Sequence, residues 1–207
     1  MMGTVAFAIS GAMIGLLKRM DIFGIAVLAV LTAVGGSILR DILMGIVPPS
    51  SLRDTTNFLL AVVVAVIVCL VYRFVRITAK QKRYLAHIFL LSDTVGLSSF
   101  SVTGALFGFE YGTEGFVLPI LLGVITAIGG GILRDLLAAR MPVVLYADVY
   151  AMASILGGLM LCSVYPLLGI EFSAWTGFAA TMLLRLCAIK FHWQIYHPRP
   201  KIRRKKV

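Results

Sequence analysis

Arg40-Asp41 and Arg134-Asp135 are two adjacent opposite-charge pairs set inside long apolar stretches. Each follows a run of glycines by one helical turn, in Gly35-Gly36-Ser37-Ile38-Leu39-Arg40-Asp41 and Gly129-Gly130-Gly131-Ile132-Leu133-Arg134-Asp135. Ionisable groups at membrane depth are rare, and they mark ion or substrate paths when they face a bundle interior or a wet cavity. Glycine weakens a helix, so each run is expected to kink or break its helix and expose backbone carbonyls. Such carbonyls are tolerable at that depth only against protein or water, and they can replace part of a cation's hydration shell. Thr32, Ser37 and Thr126 would add hydroxyl oxygens, although Ser and Thr in such helices often bond their own backbone. Asp93 lies inside another apolar stretch, with Ser92, Thr94, Ser98, Ser99, Ser101 and Thr103 near it. It suits attraction of a cation or a proton-linked step, and a cap or salt bridge suits it equally. Adjacent residues on a helix do not face each other, so neither arginine is obliged to pair with its own neighbour. Two chemistries fit: charges that line and gate an aqueous path, or structural ion pairs beside glycines that only allow close packing.

Enzymatic chemistry has no foothold. The chain has no phosphate loop ending in Lys-Ser/Thr, no Gly-x-Ser-x-Gly elbow and no His-Glu-x-x-His. Cys69, Cys162 and Cys187 sit in apolar segments without metal-ligand spacing. His87, His192 and His197 flank the apolar segments at basic ends, outside any metal pattern. No catalytic residue, metal or cofactor is expected.

The elements that must position these groups are membrane spans. Of 207 residues, 60% are hydrophobic and 14% charged, and the mean hydropathy is +0.99; this is the composition of an all-α integral membrane protein. Spans are expected at about 3–17, 22–47, 55–72, 84–107, 115–139, 148–168 and 172–189. The net charge of +10 collects at Lys18/Arg19, in the loop holding Arg73, Arg76, Lys80, Lys82 and Arg83, at Arg140 and in the tail from Arg199 to Lys206. Placing these in the cytoplasm puts the N-terminus outside and the C-terminus inside. The basic loop and tail, with Trp193 and Tyr196, suit anionic lipid at the surface; nucleic acid is not expected as a partner.

Most of the chain is an internal repeat. Gly3–Gly15 aligns with Gly96–Gly108, Thr32 with Thr126, Pro48 with Pro142, Asp54 with Asp148, and the two glycine-arginine-aspartate stretches with each other. Gly11-x-x-x-Gly15 and Gly104-x-x-x-Gly108 are small-residue faces for helix packing. Each copy holds three spans, so the second enters from the opposite side and the copies are inverted. The organisation read here is 1–83 for the first repeat and basic loop, 84–171 for the second, and 172–207 for a seventh helix and tail. At about 1.5 Å per residue, Arg40 then lies about 7 Å to the external side of its glycines and Arg134 as far to the internal side. The stretch before Gly96 holds Asp93, whereas the first copy begins almost at its glycine, with no residue opposite Asp93.

On Phe7-Ala-Ile-Ser-Gly-Ala12, Phe100-Ser-Val-Thr-Gly-Ala105 and the two glycine-arginine-aspartate stretches, the chain resembles the prokaryotic trimeric intracellular cation (TRIC) channels. The similarity is to their bacterial branch with glycine-transporter-like repeats. The resemblance implies a homotrimer in the inner membrane, with one pore inside each protomer lined by helices one, two, four and five. It also implies kinks at both glycine motifs and passage of potassium and sodium, with bound lipid a further expectation. A small amino-acid carrier on the same fold is the alternative.

Overall fold

The computed structural model describes residues 1–74, 79–111, 115–146 and 149–193, with the backbone alone at 79–83. Arg76, the side chains of Lys80, Lys82 and Arg83, Glu114, Asp148 and the tail with Tyr196 and His197 lie outside the described residues. Helices follow the hydropathy: α1 Met2–Leu17, α2 Ile22–Leu43, α3 Thr56–Phe74, α4 Ala79–Glu110 and α5 Val117–Leu137. A final stretch, Tyr150–Phe191, is divided at Gly169, whose φ of 75° and ψ of −175° are not helical, into α6 (150–168) and α7 (170–191). That backbone region is open in practice only to glycine, so the turn expected after Leu168 is fixed by residue type. Every regular element among the described residues is helical, and seven long helices form the molecule.

Local signals set the ends. Asp21 accepts a hydrogen bond from Gly24 N at 2.7 Å and caps α2. Past the end of α2 come Gly45 at φ 72° and Pro48-Pro49, and then a single helical turn, Ser50–Arg53. Asp54 accepts from Thr56 N at 3.0 Å as α3 begins. After α5, a short 3-10 turn, Val143–Leu145, takes the position equivalent to Ser50–Arg53.

Four helices form a closed ring in which α1 packs on α2, α2 on α5, α5 on α4 and α4 on α1. Helix α3 covers α1 and α2, while the α6–α7 pair covers α4 and α5. Phe7, Ala8, Ala12, Ala29, Ala33, Ala61 and Ala65 make the α1–α2–α3 core. Small side chains there let helices approach closely, as membrane bundles require. The outer faces keep Val63, Ile67 and Leu70 of α3 and Leu183 of α7 exposed, which is how lipid-facing surfaces are composed.

Contacts recur in pairs across the ring. A Cβ on Gly36 would lie 2.0 Å from Thr126 O, and one on Gly130 would lie 2.1 Å from Thr32 O. One on Gly11 would meet Thr32 Oγ1 at 2.6 Å, and one on Gly104 would meet Thr126 Oγ1 at 2.6 Å. Gly15 faces Ile25, and Gly108 faces Pro119. Along the α2–α5 crossing, residue numbers rise on one helix as they fall on the other. The two helices therefore run antiparallel, the arrangement that inverted copies require.

The expectation of helices broken at the glycine motifs is corrected. Helices α2 and α5 run unbroken through Gly35-Gly36 and Gly129-Gly130-Gly131, so no carbonyl is released there by an interruption. The physical reason is proximity. Glycine's helix penalty of about 1 kcal/mol each is offset because a missing Cβ lets the two backbones touch. Within α2 and α5, the hydroxyls of Thr32 and Thr126 donate to Leu28 O at 2.5 Å and Leu122 O at 2.6 Å. They are engaged with their own helices.

Candidate functional site

At the end of α5, Arg134 is completely buried and engaged through all three of its nitrogens. Its Nη1 donates to Asp93 Oδ1 of α4 at 2.6 Å and to Ser10 Oγ of α1 at 2.5 Å. Its Nε and Nη2 donate to Asp135 Oδ1 and Oδ2 at 3.0 and 3.1 Å. Ser10 Oγ also donates to Asp93 Oδ1 at 3.3 Å, and the Phe89 ring lies 5.0 Å from the guanidinium carbon. Asp135 Oδ2 in turn accepts from Val143 N at 2.9 Å, which ties the cluster to the turn after Pro142. One side chain thus bolts three of the four ring helices together. A buried pair of this kind holds only while every lone pair is satisfied, and here Asp135 meets that condition by serving the arginine and the backbone together.

The end of α2 repeats half of this arrangement. Arg40 Nε and Nη2 donate to Asp41 Oδ1 at 2.9 and 2.7 Å. Asp41 Oδ2 accepts from Ser50 N at 2.7 Å and from Ser50 Oγ at 2.5 Å. Each arginine therefore does pair with its own neighbour, because a long side chain at the last turn can fold back where Cβ spacing alone would keep the groups apart. Among the described residues Arg40 has no second carboxylate; the Phe107 ring lies under it at 3.8 Å. It borders a cavity of about 200 Å³ with Thr4, Ser37, Ser50, Ser51, Asn57 and Thr103 in its wall. Polar groups of this density and space of this size suit water. Ser37 Oγ donates to Val34 O at 2.8 Å and meets Ser51 Oγ at 2.5 Å.

The two ends are thus unequal. Arg134, Asp135, Asp93 and Ser10 are sealed at 0–2% exposure, while Arg40 keeps 7% and opens on a cavity. Between them the Gly36–Gly130 crossing closes the ring, and Gly35 and Gly129 face Leu133 and Leu39 across it. Arg40, Asp41, Arg134, Asp135, Asp93 and Ser37 face these polar clusters. Thr32 and Thr126 sit in the packing seam with Gly11 and Gly104, and Gly15 and Gly108 continue that seam. Ser10, Phe89, Phe107, Tyr150 and Arg185 were not singled out as site residues from sequence. Ser10 and its repeat mate Thr103 stand directly before Gly11 and Gly104, which was an available signal. Arg185, a lone arginine in an apolar span, was another.

The model for the family described as "Glycine transporter" matches residues 1–73 and 90–166. The UPF0126 inner membrane protein YadS of Escherichia coli (strain K12) is 34% identical over 93% of this chain and 91% of its own length. The UPF0126 membrane protein YvgT of Bacillus subtilis (strain 168) is 34% identical, with 93% and 91% covered. A prokaryotic TRIC channel crystallised in 0.5 M KCl superposes with a TM-score of 0.85 at 34% identity, covering 94% of this chain and 95% of that one. The chain belongs to the prokaryotic TRIC channel family. The TRIC trimeric intracellular cation channel orthologue from Rhodobacter sphaeroides gives a TM-score of 0.83 at 34% identity, with 93% and 95% covered. These relatives of the TRIC family are channels and membrane proteins rather than enzymes. Together with the apolar spans they make this chain a multi-pass inner-membrane protein.

Proposed function

We propose that the chain conducts monovalent cations, potassium and sodium, through a pore inside each protomer of a homotrimer. The path follows the axis of the α1–α2–α5–α4 ring, with the N-terminus outside and the C-terminus in the cytoplasm. Residues 1–83 and 84–171 act as its inverted halves, and 172–207 add the seventh helix and tail. The observation that carries this reading is the pair of arginine–aspartate clusters approaching one helix crossing from opposite sides, on a fold whose solved likenesses are cation channels. Conduction then requires α2 and α5 to ease apart at Gly36 and Gly130, and Arg134 to leave Asp93 and Ser10. An arginine in a cation path repels, so its role is to gate. Asp93, freed of Arg134, attracts the cation, while Asp41 and Asp135 keep the two arginines attached to the turns that follow. The cavity at Arg40 serves as the entrance already open to one side. Purified protein in planar bilayers should show unitary currents in potassium chloride and in sodium chloride; their absence under both salts contradicts the reading. The family description "Glycine transporter" favours a second reading, a small amino-acid carrier on the same inverted halves. Saturable uptake of labelled glycine by proteoliposomes, without unitary currents, would select it.

A further inference from the structure

Helix α7 stands outside the repeat, yet it carries a buried arginine. Arg185 is 6% exposed, and no carboxylate among the described residues forms a salt bridge with it. Its Nε has no hydrogen-bond partner. A buried guanidinium without a counter-ion is costly, so its surroundings should show what compensates it. Its carbon lies 4.8 Å from the centroid of the Tyr150 ring, and the Tyr150 hydroxyl is also buried. That hydroxyl points at the Arg134 cluster: a Cβ on Gly131 would lie 3.4 Å from Tyr150 Oη and 3.7 Å from Arg134 Nη2.

Charge explains the placement. The cluster holds two carboxylates, Asp93 and Asp135, against one guanidinium, Arg134. The Arg40–Asp41 pair is neutral by itself. Gly131 adjoins the Tyr150 hydroxyl, which would stand in ordinary contact with a Cβ there; the repeat mate of Gly131 is Ser37, and the mate of Tyr150 is Thr56. The second half thus departs from the repeat at both positions where the ring meets the cluster.

We propose that Arg185 is a positioning residue for the gate: acting across the Tyr150 ring, it balances the charge of Asp93 and so sets how readily Arg134 leaves it. This rests on the channel reading above. With Arg134 in place, Arg185 neutralises the surplus carboxylate. With Arg134 withdrawn, Arg185 remains as the cation that keeps Asp93 from standing alone. Its removal therefore strengthens the hold of the carboxylates on Arg134 and penalises the open form, and both effects act in the closing direction.

The test compares wild type, Arg185→Met and Arg185→Lys, each with Asp93 intact and with Asp93→Asn, as purified full chain in planar bilayers. Arg185→Met should lower the open-to-closed ratio at least about 5-fold, the lower end of ordinary coupling between sites, at unchanged unitary conductance. Lysine should restore it, and the methionine substitution should lose its effect once Asp93 is Asn. Gating equal to wild type in Arg185→Met, or the same fall in the Asp93→Asn background, overturns the proposal. If Arg185→Met does not fold, rescue of folding by Asp93→Asn supports the charge balance and failure of rescue overturns it. A silent wild-type protein contradicts the channel reading alone. The charge balance is then read from melting temperatures, which Arg185→Met should lower with Asp93 present and leave unchanged with Asn there.

Discussion

Asp135 and Asp41 occupy equivalent positions and bear unequal burdens. Asp135 holds a completely enclosed guanidinium and the Val143 amide; Asp41 holds one that borders a cavity. Asp135→Ala leaves Arg134 its Asp93 partner but strands the Nε and Nη2 donors and the Val143 amide in dry protein, whereas Arg40 can turn toward water. Asp135→Ala should therefore lower the melting temperature of the detergent-solubilised protein clearly more than Asp41→Ala. Equal losses would show that Arg40 is as dry as Arg134. At this scale the sequence was legible in part. The doubled Arg-Asp pairs and Asp93 stood out as charges in apolar surroundings, and they are the groups that cluster. Their partners did not, because the fold of Arg134 onto Asp135 and across to Ser10 depends on rotamers and on which helices meet. Arg185 was legible by the same rule that picked out Arg40 but lay outside the repeat, where attention to symmetry does not reach.

Among elements, the glycine motifs show how one residue type serves opposite purposes. A break and a close crossing both call for glycine, and no pattern within one helix tells them apart; only the partner helix does. Hydropathy placed the spans well, since that signal is local. The crossing could not be read because it depends on Thr126 O and Thr32 O, which belong to the other copy. Gly36→Ala and Gly130→Ala should each destabilise by about 1–3 kcal/mol or more, the cost of overpacking, because backbone cannot yield. Gly35→Ala meets the tip of the Leu133 side chain instead and should cost clearly less. Thermal unfolding of the three variants checks the order, and a Gly35→Ala loss as large as Gly36→Ala would show that the seam is not a backbone contact.

Taken whole, the molecule is two antiparallel three-helix halves that meet in a four-helix ring, with a seventh helix against the second half. Inversion was visible in the sequence because an odd number of spans in a repeat forces it. Assembly was not, since lipid and a second copy are equally satisfied by apolar faces such as that of α3. A homotrimer should run in detergent at three times the 22.4 kDa chain once the bound micelle is subtracted, as light scattering with refractometry measures. A monomer by that measure contradicts the trimeric reading while leaving the pore inside each protomer standing. Thiol reagents applied to intact cells should modify a cysteine at Met1 from outside and one at Lys206 only after permeabilisation. The reverse pattern would invert the proposed orientation.

Arg134 is the bolt across the closed ring, joined to α1 and α4 through Ser10 and Asp93. The most direct measurement is the open probability of Arg134→Ala beside wild type, in planar bilayers under symmetrical potassium chloride. With the bolt gone, the channel should stay open for a larger share of the time and carry cations past Asp93. Unitary currents indistinguishable from wild type in amplitude and open time would contradict it, since a residue that holds the path shut cannot be removed without consequence.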